Sequence, residues 1–301
     1  MSKALSVKPL GEGHINDSYL VETTSNWYVS QKIRSAMDIE ILEHNYALFA
    51  EACEKADYLH PEWIRNSDGR YISTDANGDH WRTYPYICGD ILEPPLSQKL
   101  LYATGQGLAR LHAVLQTFSD KPWAVYPMLH DLKYYYKEYI NVLVGGDIPD
   151  SERDPYIEDK INTWVDKLLD IELDRTAVIH GDAKLGNILF KNGQVLTFLD
   201  LDTIMQGSLL EDLADCIRSC CLVNGHMDHL ASKYLLEGYL SRSFGLISNE
   251  DMRKLPDVIN KICFELGLRY YTDHISGKNK FKVAAPEDRL KKARMLMDAL
   301  D

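Results

Sequence analysis

The sequence predicts an α+β chain of two lobes, a small β-rich N-terminal lobe and a larger, mainly helical C-terminal one. Three observations carry that expectation. The N-terminal part alternates strand-like runs with glycine and asparagine turns. After Tyr84-Pro85-Tyr86-Ile87-Cys88-Gly89-Asp90 the texture changes to long runs of helical period. Among those runs, Val178 to Phe190 sets His180, Asp182, Lys184 and Asn187 in a short loop between apolar stretches, and Asp200-Leu201-Asp202 follows. The expected division is 1-86 as a nucleotide-binding lobe and 87-301 as a helical lobe for catalysis and substrate.

In order along the chain, Leu10 to Val21 reads as a turn followed by a strand, and Trp27 to Ile33 as a second strand. Ile39, Leu42, Tyr46, Phe49 and Ala50 repeat with helical period, so Met37 to Asp57 is expected to be a helix. Tyr71–Ser73 and Trp81–Tyr84 are strand-like and are separated by Asp75-Ala76-Asn77-Gly78-Asp79, a turn. Leu100 to Phe118 is an amphipathic helix. Further helices are expected over roughly 131–144, 156–173, 209–223, 228–240, 251–274 and 286–300, with 147–154 as a loop.

The loop and acidic cluster supply the parts that phosphoryl transfer requires. One carboxylate accepts the proton of the attacking hydroxyl, an Asn and a second carboxylate hold divalent ions on the phosphates, and a nearby cation offsets developing charge. Asp182, Asn187, Asp200 and Lys184 fill those roles. Asn187 follows Asp182 by five positions, the spacing of the kinase loop His-x-Asp-x-x-x-x-Asn. Asp200 follows Asp182 by eighteen, room for a loop and a hairpin. Asn192-Gly193 is a strong two-residue turn signal between the strands Asn187–Phe190 and Val195–Leu199. A tight hairpin brings Asn187 and Asp200 together on one metal site.

At 301 residues the chain is large enough for a two-lobed enzyme. A net charge of −12 argues against a nucleic-acid partner, whose phosphates demand clustered Lys and Arg. It does not exclude ATP, because Mg²⁺ brings positive charge with it. Six cysteines show no repeated CxxC spacing, so buried free thiols are expected, Cys216 and Cys220 included. The N-terminus does not read as a signal peptide, and no eighteen-residue apolar run suggests a membrane span. A cytoplasmic setting is the expectation.

Other candidates carry alternatives. Gly11 and Gly13 lie in a turn that can cover phosphates with backbone N–H groups, with Asn16 and Ser18 adding side-chain donors. The strand lysine that grips nucleotide phosphates in most kinases has two candidates, Gln31 and Lys32; alternation puts them on opposite faces, so only one faces the cleft. Glu40, Glu43 and Asn45 are its possible helix partners. His180 is read as support for the loop. Asp212 is read as a brace bonding the loop backbone from beneath, and Asp202 as a second metal ligand, with a turn cap as the alternative. Tyr134, Tyr135, Tyr136 and Tyr139 are read as packing. Arg269 and Asp273 form an ion pair or reach the acceptor cleft.

These motifs resemble the aminoglycoside phosphotransferase and choline kinase superfamily, which shares the protein kinase-like fold. The matching pieces are "GEGHINDSYLV", "YPYICGD", "LARLHA", "VIHGDAKLGNILF" and "FLDLDTIMQGSLLEDLAD". "GHIND" combined with "DLDT" is most similar to the N-acetylhexosamine 1-kinase branch, which phosphorylates the anomeric hydroxyl of GlcNAc or GalNAc with ATP and Mg²⁺. The resemblance implies Asp182 as catalytic base and Asn187 and Asp200 as metal ligands. It also implies backbone contacts to adenine at Tyr84, Tyr86 and Ile87, and a Gln at the strand position of Gln31. The sugar end matches in Arg269, Asp273 and Gly277 but has Lys280 where an aromatic residue is expected.

The expected function is ATP- and Mg²⁺-dependent transfer to a sugar hydroxyl, with Lys184 on the γ-phosphate. The alternatives are an aminoglycoside or amino-alcohol acceptor, and a nucleotide-binding scaffold without turnover. A protein kinase is disfavoured, since only seven positions separate Asp202 from the helix at Leu209, too few for a peptide platform.

Overall fold

In the N-terminal lobe Asp17–Thr23 (β2) and Trp27–Lys32 (β3) form a hairpin at the middle of an antiparallel sheet. Ala4–Pro9 (β1) pairs with β2, and β3 is followed across the sheet by His80–Pro85 (β5) and the short Ser73–Thr74 (β4), giving the order β1-β2-β3-β5-β4. This computed structural model describes residues 4–10, 16–34, 36–146 and 148–300. Between β3 and β4 runs Ile39–Ala56 (α1). Asp38 caps it by accepting the Glu40 and Ile41 N–H groups at 2.9 and 3.3 Å. Its inner face buries Leu42, Tyr46, Phe49 and Ala52, and Tyr46 stacks on Trp63 with ring centroids 4.0 Å apart. The expected strand at Tyr71–Ser73 shifts to β4, and β1 was not anticipated: most of its residues are exposed, so no alternation marks it.

The C-terminal lobe starts with Gln98–Leu115 (α2), Leu132–Gly145 (α3) and Pro155–Leu169 (α4). Ala177–Ile179 (β6) leads into the motif loop. Ile188–Lys191 (β7) and Gln194–Phe198 (β8) form the expected hairpin, with Asn192 and Gly193 both at positive φ. Met205–Gly207 (β9) returns to pair with β6. Leu209–Cys221 (α5), the small hairpin Leu222–Val223 (β10) and His226–Met227 (β11), and His229–Leu240 (α6) follow. The single helix expected over 251–274 is two: Asn249–Met252 (α7) and Leu255–Ser276 (α8). Pro256 lies in the first turn of α8, where its missing N–H costs nothing, and cannot continue a preceding helix. Asp288–Asp298 (α9) closes the described chain, and α4 ends at Leu169 rather than reaching 173.

One core runs through both lobes, joining Val29, Phe49 and Tyr84 to Leu108, Ile188, Phe198 and Leu213. Each such large side chain contributes about 1.5–3 kcal/mol on burial, so the lobes share stability as well as a cleft. A second core packs α3, α4, α8 and α9 around Ile161, Leu168, Phe264 and Met297. At the hinge, Asp90 and Phe190 exchange backbone hydrogen bonds of 2.8 and 2.9 Å, fixing the motif hairpin beneath the connection. Gly89 makes this approach possible: a Cβ there would lie 2.7 Å from Leu189 Cγ and from Phe190 O. Among the described residues no helix is long and apolar enough to cross a membrane, and the cysteines are free, all buried except Cys88.

Candidate active site

The loop between β6 and β7 is shaped by Asp212 in the first turn of α5. This fully buried carboxylate accepts the His180 N–H at 2.7 Å and the Gly181 N–H at 2.8 Å, and His112 Nε2 lies 3.1 Å away. Burial alone would raise its pKa. The hydrogen bond from His112 and the backbone N–H groups of the loop together hold it below the usual carboxylate range. Gly181 has φ +82°, and a Cβ there would meet Thr203 O at 2.5 Å, so the loop requires glycine. His180 is buried. Its Nδ1 accepts the Asp182 N–H at 3.3 Å and its Nε2 donates to Leu199 O at 2.9 Å, which ties the motif loop to the end of β8.

These supports fix the loop that carries Asp182, whose side chain keeps 24% exposure. Its Oδ2 accepts Lys184 Nζ at 2.6 Å and Asn187 Nδ2 at 2.9 Å, and Asn187 Nδ2 also reaches Asp182 O at 2.8 Å. The Asn187 amide nitrogen is thereby committed to Asp182, and its side-chain carbonyl oxygen remains as the donor that could meet a metal ion. Burial opposes the charge on Lys184, but the Asp182 carboxylate outweighs it and raises the pKa, with Asp200 and Asp215 adding to the effect. Leu199 N donates to Asn187 O at 2.7 Å, so the hairpin brings Asn187 and the Asp200 segment side by side.

Asp200 sits at the left-handed φ of 59°. Burial, then the charges of Asp202 and Asp182, push its pKa up to about 6 against the opposing pull of Arg82 and Lys184. Asp182 has Lys184 as counter-charge and Asp202 has Arg82, so unbalanced negative charge collects at Asp200. Its carboxylate and the Asn187 carbonyl are hard oxygen donors, and they fit Mg²⁺. No three His, Cys, Asp or Glu side chains form a cage among the described residues.

Other expected site residues lie elsewhere. Asp202 is 1% exposed; both of its oxygens pair with Arg82 Nη atoms, and Asn16 Nδ2 adds a bond of 2.7 Å. It faces a guanidinium instead of an open ligand position. For the same reason Asn16 does not offer its amide to phosphates. Gln31 faces the cleft, donating to Ser18 Oγ and accepting from Arg82 Nε at 2.8 Å each, whereas Lys32 turns to the other face and pairs with Asp79 at 2.5 Å. The helix candidates are occupied too: Glu43 binds Arg70 and the Ile72 N–H, and Asn45 bonds Trp123 and Ile204. Gly11 and Gly13 lie outside the described residues. Tyr84 is buried and lines the small cleft with Gln31, Arg82 and Asp200. The Tyr86 N–H is taken by Trp27 O at 2.9 Å.

On the acceptor side Arg269 and Asp273 do not pair. Asp273 is buried and bonds Arg289 Nε at 2.8 Å and the Lys280 and Phe281 N–H groups, so it anchors the 280-281 segment. Arg269 lies 3.5 Å from Glu265 and stacks over Tyr135, 4.5 Å from the ring centroid. Tyr139 is core, whereas Tyr135 carries Arg269. Three residues went unnoticed in the sequence: Arg82, and the pair Asp215–Arg218, bonded at 2.8 Å with Arg218 in electrostatic reach of Asp182. Strand alternation offered a signal for Arg82, since it falls on the same inward face as Tyr84.

The family model for the phosphotransferase enzyme family (APH) matches residues 6–239. The chain belongs to that family. It is a small-molecule phosphotransferase with the kinase-like arrangement of an antiparallel N-lobe sheet and a helical C-lobe. Similar folds include amicoumacin kinase in complex with AMP-PNP, Ca²⁺ and Ami (TM-score 0.65, 12% identity, 97% of this chain and 87% of that one). The GDP complex of aminoglycoside 2'-phosphotransferase-IIIa gives a TM-score of 0.69 at 13% identity, covering 98% and 92%. A microcompartment-associated aminopropanol kinase gives 0.67 at 17% identity, covering 97% and 89%.

Proposed function

We propose that the enzyme transfers the γ-phosphate of ATP to a sugar hydroxyl, with the anomeric hydroxyl of an N-acetylhexosamine or a related sugar as the target. The observation that carries the transfer is the Asp182 carboxylate, oriented by Lys184 and Asn187 beside the charge-rich Asp200. Asp182 Oδ accepts the proton of the acceptor hydroxyl as its oxygen attacks phosphorus in line and the bond to the β-phosphate oxygen breaks. Lys184, 2.6 Å from Asp182, contacts the γ-phosphate in this reading, and its positive charge offsets charge developing there. Asp200 and Asn187 hold Mg²⁺, which when bound neutralises phosphate charge.

The charge balance near Asp182 supports a neutral polyhydroxyl acceptor. Asp215 is paired with Arg218, and Glu265 lies against Arg269 and His130, so both carboxylates are already offset and neither is left to hold a cationic acceptor. A cationic acceptor, as the names of the aminoglycoside and aminopropanol kinases imply for those proteins, is the second reading; the net charge of −12 favours it. An ADP-release screen over hexoses, N-acetylhexosamines, amino alcohols and aminoglycosides tests the choice, with phosphorus NMR locating the new phosphate. Turnover confined to the cationic compounds overturns the sugar assignment, and absence of ADP release with every class overturns the transfer.

A further inference from the structure

The missing strand lysine and the unexpected partner of Asp202 meet in one buried network. Arg82, on β5, stands opposite Gln31 on β3 in the sheet register, so the two side chains share a face. Its Nε donates to Gln31 Oε1 at 2.8 Å, and its two Nη atoms go to the two Asp202 oxygens. With a bond at each of its three nitrogens and only 2% of the side chain exposed, Arg82 is turned to Gln31 and Asp202 rather than to an open phosphate position. Asn16 lies directly ahead of β2 in the chain. It donates to Asp202 Oδ2 at 2.7 Å and accepts the Arg34 N–H at 3.1 Å. Two residues beyond Asp202, the Ile204 carbonyl accepts from Asn45 of α1 at 3.1 Å.

The segment that carries Asp200 is therefore held by Arg82 of the sheet, by Asn16 ahead of β2 and by Asn45 of α1, all in the N-terminal lobe. Asp200 itself has a left-handed backbone, a conformation that persists in a non-glycine residue only when its surroundings impose it. We propose that Arg82, Asn16 and Asp202 form a clasp that couples the two lobes and positions Asp200. The clasp stands in for the strand Lys–helix Glu pair of protein kinases. All three are positioning residues, Asp202 included; none touches the phosphates. The functional part of this inference rests on the proposed role of Asp200, whereas the structural part does not.

The test compares Arg82→Gln, Asp202→Asn and the double variant, in which a neutral amide pair replaces the ion pair. Hydrogen exchange of the peptide spanning 198–204 is followed without nucleotide, alongside kcat, KM for ATP and the Mg²⁺ half-saturation. Each single variant is expected to raise exchange in that peptide and to lower kcat by about a hundredfold, the scale of a small misplacement of reacting groups. The double variant is expected to be no worse than either single one, because one interaction is lost in all three. A double variant that loses the product of the two single effects overturns the clasp. So does an Asp202→Asn enzyme whose Mg²⁺ requirement rises while that of Arg82→Gln does not, since Asp202 is then a ligand.

Should a single variant fail to fold, Asn16→Ala serves, because it strips one bond from Asp202 without stranding a buried charge. Faster exchange in 198–204 with reduced kcat supports the clasp, and wild-type values for both refute it. Exchange requires no turnover, so a wild-type protein that releases no ADP defeats the proposed reaction without touching the exchange result.

Discussion

Replacing Asp182 by Asn removes a charge while keeping the shape of the side chain. Asp182 Oδ2 accepts from both Lys184 Nζ at 2.6 Å and Asn187 Nδ2 at 2.9 Å. In the variant the amide oxygen must take that position, since an NH₂ group would face two donors. The NH₂ then points to the acceptor hydroxyl and cannot receive its proton. Loss of general-base catalysis lowers turnover by about 10²–10⁴-fold. That corresponds to about 2.7–5.4 kcal/mol at 1.36 kcal/mol per decade. Lys184 retains 32% side-chain exposure, so water replaces part of the lost pairing and the protein stays folded. Coupled ADP release gives kcat, and the thermal shift on adding AMP-PNP reports nucleotide binding. Turnover near wild type in a folded, nucleotide-binding variant would remove Asp182 from the mechanism.

Gly181→Ala forces a Cβ to within 2.5 Å of Thr203 O at φ +82° and is expected to destabilise the protein by about 1–3 kcal/mol; an unchanged denaturant midpoint would contradict that. Lys32→Ala is expected to leave KM for ATP unchanged because Lys32 pairs with Asp79 outside the cleft, whereas Gln31→Ala raises it; the opposite pattern would put the lysine on the phosphates. His130 gives a pH dependence. Burial lowers its pKa, but Glu265 at 3.7 Å, then Glu211 and Asp215, raise it to about 9, and its Nε2 donates to Gly181 O. A raised folded-state pKa means stabilisation that is complete below the unfolded value of about 6.5 and lost as pH climbs through about 9. The thermal midpoint should fall across that window and flatten in His130→Gln; a wild-type midpoint that does not fall would show that His130 is not charged.

The motif hairpin was legible because its information is local. Asn192-Gly193 specifies the turn, and five- and eighteen-residue spacings then put Asn187 and Asp200 at its base. The helix expected over Met37 to Asp57 was legible from its apolar period, although it starts two residues later, after the Asp38 cap. What escaped was set by contacts distant in sequence. Arg82 and Asp202 are 120 positions apart, so nothing near Asp202 distinguishes a metal ligand from an ion-pair partner. Asp273 looked like half of a helical pair with Arg269, but Arg289 and two backbone N–H groups of the following segment bind it more closely. Strand alternation separated Gln31 from Lys32 correctly; deciding which faces inward required knowing where Arg82 lies.

The central claim is that Asp200 and Asn187 converge beneath the phosphates while Asp182 faces the acceptor. A crystal structure of the enzyme with Mg²⁺ and AMP-PNP tests it most directly. The account predicts an ion bonded to a carboxylate oxygen of Asp200 and the carbonyl oxygen of Asn187, with the γ-phosphate toward Asp182. An ion bound to neither residue, or a triphosphate lying away from Asp182, would contradict it.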